Sequence, residues 1–153
     1  MIKTLKTYPL LSQEDTKTLA VELAKTAQKG DIFLLEGDLG SGKTTFARFF
    51  IRHFFGEDVD IPSPTFTLVQ TYPTPNLLIW HFDLYRLKDE GEIQELGLEE
   101  ALSTGVCLIE WPEKLGSYKP SRCIVLKFEA TREKRYVTLE TIGYWETRFD
   151  SLL

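Results

Sequence analysis

Eight consecutive residues, Gly37-Asp38-Leu39-Gly40-Ser41-Gly42-Lys43-Thr44, carry the groups needed to hold a string of phosphates. The run fits the pattern G-x-x-x-x-G-K-[ST]. Its glycines let successive backbone N–H groups turn inward as an anion-binding nest. Lys43 brings a cation to the β- and γ-phosphates, and the Thr44 hydroxyl is a ligand for Mg²⁺. A helix opening directly after the loop points its positive end at the same phosphates.

Such a loop works only between a strand and a helix, and the flanking sequence supplies both. Residues 31–36 form a short, largely apolar run, with Gly30 as punctuation before it. After the loop, Phe46, Phe49, Phe50 and Phe54 recur at helical spacing, with Arg48, Arg52 and His53 between them and Gly56 as the stop. The loop is read as a nucleotide-binding site.

A phosphate loop needs a second carboxylate for Mg²⁺, usually at the end of an apolar strand. Asp83 follows the apolar run 77–82, and Glu110 follows Val106-Cys107-Leu108-Ile109. Ligands of open α/β sheets lie outside the carboxyl ends of strands, so either acid can reach the metal. Sequence leaves open which one coordinates and which orients water. Ser63, Thr65 and Thr67 read either as a switch segment near the γ-phosphate or as an ordinary turn capped by Ser63. Arg86 either enters the cleft or pairs at the surface with Asp89 or Glu90, and His81 reads as a half-buried strand residue rather than a base.

The elements that must position these groups follow from periodicity and breakers. A first helix is predicted over residues 13–28, with Ser12 at the N-cap, Glu14 and Asp15 in the first turn, and Leu19, Leu23 and Ala27 on one face. Two prolines keep residues 61–65 extended. Strands at 66–72 and 77–83 form a hairpin across the turn 73–76. An acidic helical stretch, 89–103, breaks near Gly97, and residues 106–110 form a buried-type strand. Residues 122–128 and 136–141 make a second hairpin across the charged turn 129–135. From Gly143 onward Tyr144, Trp145, Phe149 and Leu152 either pack as a short helix or stay loose. Parallel-type and hairpin strands around one phosphate loop predict an α/β, three-layer fold of the P-loop NTPase kind with a mixed sheet.

A chain of 153 residues suits one domain, 1–153, built on a single core. The formal net charge of −5 disfavours direct, strong binding of tRNA or DNA, for which a net basic surface or dense basic stripe is the rule. Short basic groupings such as Arg132, Lys134 and Arg135 leave room only for local contact with RNA inside a complex. No apolar run approaches a membrane span, and residues 1–6 lack a signal-peptide core. Cys107 and Cys123 lie on apolar strands and read as buried free thiols, which points to the cytoplasm. Two cysteines and two histidines in no ligand-like spacing argue against zinc.

Four segments together resemble one family: residues 37–45, Ser63-Pro64-Thr65-Phe66-Thr67-Leu68-Val69, His81-Phe82-Asp83-Leu84-Tyr85-Arg86-Leu87 and Cys107-Leu108-Ile109-Glu110-Trp111-Pro112. In order and spacing they are similar to the bacterial TsaE family, the small ATPase of the tRNA threonylcarbamoyladenosine pathway. The likeness covers residues 12–111 well and the last hairpin weakly. It implies a cytoplasmic ATPase that docks on TsaD and TsaB, which transfer the threonylcarbamoyl group beside the anticodon, so that tRNA is met only through the complex. It also implies that Gly40, Ser41, Gly42, Lys43, Thr44 and Thr45 hold ATP and that Thr44 and Glu110 serve Mg²⁺. Asp83 is assigned to catalysis or water positioning beside Lys43 and Glu110. Adenine contacts are implied near Gln13, Thr16 and Arg132. Weak hydrolysis is expected of the chain alone, with Arg86 the internal candidate for an arginine finger.

Two other readings compete. Phosphate-loop kinases of small molecules have similar length, but they usually carry an arginine-rich lid, and none is evident here. A nucleotide-gated adaptor with negligible hydrolysis would use the acidic stretch near Leu96 and Leu98 for docking.

Overall fold

Residues 32–36 and 106–110 are nearly continuous apolar runs, which suits strands covered on both faces. In the computed structural model, which describes residues 2–143 and 148–149, they lie side by side at the centre of a seven-stranded sheet. In chain order the strands are β1 (Ile2–Pro9), β2 (Ile32–Glu36), β3 (Val69–Pro73), β4 (Leu78–Asp83), β5 (Val106–Glu110), β6 (Cys123–Ala130) and β7 (Arg135–Ile142). The helices are α1 (Gln13–Thr26), α2 (Lys43–Phe55), α3 (Glu92–Glu95) and α4 (Leu98–Thr104), and a 3-10 segment spans Pro112–Tyr118.

The spatial order is β1-β7-β6-β2-β5-β4-β3. Strands β6, β2, β5 and β4 run parallel, while β7, β1 and β3 are antiparallel to their neighbours. The sheet is therefore mixed, as predicted. One face packs Phe33, Leu35, Val106 and Leu108 against Leu19 and Leu23 of α1 and Phe46 and Phe50 of α2. The other packs Leu34, Phe82, Cys107 and Ile109 against Ile93, Leu98 and Leu115. Helices on both faces make the three layers. Phe46 and Phe50 anchor α2 to the sheet, with ring centroids 5.8 Å from Phe128 and 5.3 Å from Phe33 respectively.

Several expected boundaries move. Helix α1 stops at Thr26, and its Ser12 N-cap is extended but makes no side-chain cap bond. Asp15 instead turns back, accepting the Leu11 N–H at 2.8 Å. Strand β3 begins at Val69 rather than 66, because Leu68 takes a left-handed φ of 69° and its N–H returns to the Pro64 carbonyl at 2.6 Å. The acidic stretch divides into α3 and α4 at Gly97, whose φ is 85°. Gly56 ends α2 as predicted, donating its N–H to the Arg52 carbonyl. Strand β1 is absent from the sequence-based expectation. Of the C-terminal aromatics, Phe149 is buried in the core on the α1–α2 face. Tyr144, Trp145 and Leu152 lie outside the described residues.

Candidate functional site: a phosphate loop with paired acids

The carboxyl ends of β2, β4 and β5 open onto one cleft lined by Gly40, Gly42, Lys43, Thr44, Thr45, Thr65, Asp83, Tyr85, Glu110, Trp111 and Arg135. Glycines shape its floor. Gly37 has φ 146°, and a Cβ there would stand 2.6 Å from the Phe128 carbonyl oxygen and 2.6 Å from Ser41 Oγ. Gly40 and Gly42 also have positive φ, 75° and 113°. Helix α2 starts at Lys43, so the N–H groups of residues 43–45 have no acceptor within it. Ser41 Oγ is buried without a hydrogen-bond partner among the described residues. Donors gathered in this way suit an anion.

The acidic groups divide their attention. Thr44 Oγ1 donates to Glu110 Oε1 at 2.6 Å, which joins the head of α2 to the end of β5. The other carboxylate oxygen, Oε2, lies 2.7 Å from His81 Nε2. Asp83 and Glu110 are register partners on β4 and β5. Asp83 has different partners: Thr65 Oγ1 donates to its Oδ2 at 3.1 Å and the Tyr85 N–H to its Oδ1 at 3.1 Å. His81 is fully buried, so the half-buried strand position expected for it is corrected. The full burial follows from its place on an interior strand, on the face covered by the helices.

Lys43 is 4% exposed. Its ammonium donates to the Gly37 carbonyl and sits 3.3 Å from the centroid of the Trp111 ring. Burial pushes its pKa below the ordinary lysine value, partly offset by Glu110, Glu113, Asp83 and Asp38. Trp111 itself has φ 61°, in the left-handed region unusual for a large side chain, and its ring stands 4.9 Å from that of Tyr85. An aromatic face is a natural seat for an ammonium that has lost water.

The remaining predicted residues separate. Gln13 and Thr16 do come to the loop, lining a side chamber with Ser12, Ser41, Gly42, Thr45 and Arg135. Arg132 sits exposed in the turn 131–134 and is not among the cleft's lining residues; Arg135 occupies the cleft instead. The hairpin alternation held the signal for this, since Arg135 shares a side of β7 with buried Val137 and Leu139. Ser63 bonds Thr65 at 2.7 Å and so stands behind Asp83, whereas Thr67 accepts from Gln70 at 3.1 Å. Arg86 lies outside the cleft lining, its guanidinium 4.5 Å from the exposed Phe66 ring. Trp111 and Tyr85 carried no assigned role in the sequence reading, although Trp111 follows Glu110 directly.

This donor set fits a nucleoside polyphosphate with Mg²⁺. The helix-head amides, the Ser41 hydroxyl and a desolvated ammonium suit phosphates, and Thr44 and Glu110 are the groups that could hold Mg²⁺ beside phosphate oxygens. Lys43, Thr44, Asp83 and Glu110 therefore share one cleft. No helix among the described residues is long and apolar enough to cross a membrane.

Comparison with known proteins identifies the family. The family model for the threonylcarbamoyl adenosine biosynthesis protein TsaE matches residues 10–137. The tRNA threonylcarbamoyladenosine biosynthesis protein TsaE of Rickettsia felis is 57% identical over 104 residues, 68% of this chain. The match spans 61% of that relative, less than two thirds of its length. The protein of the same name from Bacillus subtilis is 39% identical over 136 residues, covering 87% of this chain and 84% of the relative. The crystal structure of Bacillus subtilis YdiB superposes with a TM-score of 0.75 at 30% identity, covering 94% of this chain and 88% of that one. The chain belongs to the family of the threonylcarbamoyl adenosine biosynthesis protein TsaE.

Proposed function

We propose that this chain is a Mg²⁺-dependent ATPase that serves the threonylcarbamoyladenosine modification of tRNA, acting in the cytoplasm with TsaD and TsaB. The observation that carries the ATPase reading is the 2.6 Å bond from Thr44 to Glu110, which brings a hydroxyl and a carboxylate together at the mouth of a phosphate loop. The pathway reading rests on family membership and on the names of the relatives. A net charge of −5 suits a protein that reaches tRNA through protein partners rather than by gripping its backbone. Buried free thiols at Cys107 and Cys123 suit a reducing compartment.

The chain's own residues divide the work. Amides of the loop and of residues 43–45 receive phosphate oxygens, and Lys43 exchanges the Gly37 carbonyl and the Trp111 face for the β- and γ-phosphates. Thr44 and Glu110 would hold Mg²⁺, which when bound neutralises charge on the phosphates. Asp83, held by Thr65 and the Tyr85 N–H, presents a carboxylate to orient water or accept its proton. Gln13, Thr16 and Arg135 border a chamber beside the loop, and this chamber would take the adenine. Weak turnover by the chain alone is expected, since Arg86, the candidate arginine finger, lies outside the cleft lining and packs on Phe66 instead.

The deciding assay measures ATP hydrolysis by wild type and Lys43→Ala, with and without the TsaD–TsaB pair. The reading requires stimulation of wild type by the pair and loss of nucleotide binding or turnover in the variant. Unchanged activity in Lys43→Ala contradicts the site, and no stimulation or co-elution contradicts the partnership.

A further inference from the structure

We propose that His81 is a positioning residue for the metal site, fixing Glu110 so that only one of its carboxylate oxygens faces Thr44 and the cation. The proposal rests on the reading of the loop as a Mg²⁺–nucleotide site. Glu110 is 2% exposed and His81 is fully buried. The two Glu110 oxygens are apportioned: Oε2 takes the bond from His81 Nε2 at 2.7 Å, and Oε1 takes the Thr44 hydroxyl at 2.6 Å. A carboxylate with a single anchor can still swing about its last bond; one held at both oxygens cannot.

The sheet register makes the arrangement possible. His81 stands two residues before Asp83 on β4, so both project to the face covered by α1 and α2. In the parallel pairing with β5, His81 is opposite Leu108 and Asp83 is opposite Glu110. The imidazole therefore reaches up one register step to the acid, beneath the cleft and away from solvent. It meets the carboxylate oxygen that Thr44 leaves untouched.

The cost to the fold is what makes the residue informative. His81 Nδ1 is buried with no hydrogen-bond partner among the described residues. An unpaired buried polar atom is destabilising, and an apolar side chain at this depth would pack without that penalty. Among the described residues the ring's one polar contact is with Glu110, so what the imidazole contributes lies in the acid's orientation. Partners of this kind, one step behind a metal ligand, commonly govern metal affinity by 10- to 100-fold.

The test titrates Mg²⁺ against the affinity for a fluorescent ADP, in wild type, His81→Phe and His81→Gln, with binding also measured in EDTA. Glutamine keeps a donor near the position of Nε2, whereas phenylalanine keeps bulk alone. The proposal predicts that His81→Phe raises the Mg²⁺ midpoint about tenfold or more. Its metal-free ADP affinity should stay within about twofold, and His81→Gln should recover most of the metal response. A normal wild-type titration with an unchanged midpoint in His81→Phe overturns this inference alone. So does a parallel loss of metal-free and metal-loaded affinity in both variants, which marks a merely structural residue. Wild type that binds ADP with no response to Mg²⁺ overturns the underlying reading of the site, and this inference with it.

Discussion

Asp83 and Glu110 are register partners at the carboxyl ends of neighbouring parallel strands, yet they keep different company. Glu110 is bound to Thr44 at the head of the loop helix, while Asp83 is held by Thr65 and the Tyr85 N–H. One backbone pairing thus places two like charges where they can divide a metal role from a water role. Placement at strand ends alone does not rank them, because both are acids that end apolar strands.

Exchanging the two acids for their amides separates these roles. Glu110→Gln should raise the Mg²⁺ requirement about tenfold or more, since it removes the charge beside Thr44. Asp83→Asn should leave that requirement within about twofold but lower turnover by roughly 10²–10⁴, the usual worth of a positioned general base. Steady-state hydrolysis across a Mg²⁺ series reads both, and equal shifts of the metal midpoint contradict the division.

The glycines of the loop differ in what they protect. Gly37→Ala drives a Cβ into the Phe128 carbonyl and Ser41 Oγ at 2.6 Å, and should cost about 2–3 kcal/mol. Gly40→Ala meets nothing within 4 Å, so only its positive φ is penalised, at about 1 kcal/mol. Urea unfolding of both variants checks the order, and a Gly40 variant as unstable as the Gly37 variant contradicts it.

Local sequence encodes some of these elements, and long-range pairing decides the others. The loop, β2, α2 and β5 are specified locally, by glycines between an apolar run and a 3.6-residue aromatic period. Strand β1 is not, because Lys3, Thr4, Lys6 and Thr7 make it polar along an edge, and its pairing lies with Arg135–Ile142 at the far end of the chain. That pairing is what brings the start of α1 to the cleft: the Leu10 N–H reaches the Arg135 carbonyl at 2.8 Å. Phe66 looks like a strand residue by type, but the turn at Leu68 leaves it 80% exposed. The His81–Glu110 contact joins residues on different strands and has no signature in spacing.

At the opposite end of the sheet, Arg148 grips Asp31 through two nitrogens, at 2.6 and 2.8 Å, and also donates to the Thr26 carbonyl. Arg148→Ala leaves the carboxylate buried without its guanidinium and should cost about 3 kcal/mol. The double variant with Asp31→Asn should recover part of this. Thermal or urea unfolding measures it, and full stability in the single variant contradicts the clamp.

Burial pushes the Cys107 thiol up to about 12 and the Cys123 thiol up to about 11, from 9.0. Raised folded values mean that the unfolded thiols ionise first. Their contribution to stability is intact below about pH 9 and falls as pH climbs through 11 to 12. At pH 8 a thiol-reactive dye should label neither cysteine until denaturant is added. Rapid labelling of the folded chain contradicts their burial.

Co-crystallisation with ADP and Mn²⁺ tests the nucleotide site most directly, because manganese is located by its anomalous signal. Phosphates are expected on the amides of residues 40–45, with the metal peak beside Thr44 Oγ1 on the Glu110 side of the cleft. A nucleotide bound elsewhere, or a metal peak remote from Thr44, contradicts it.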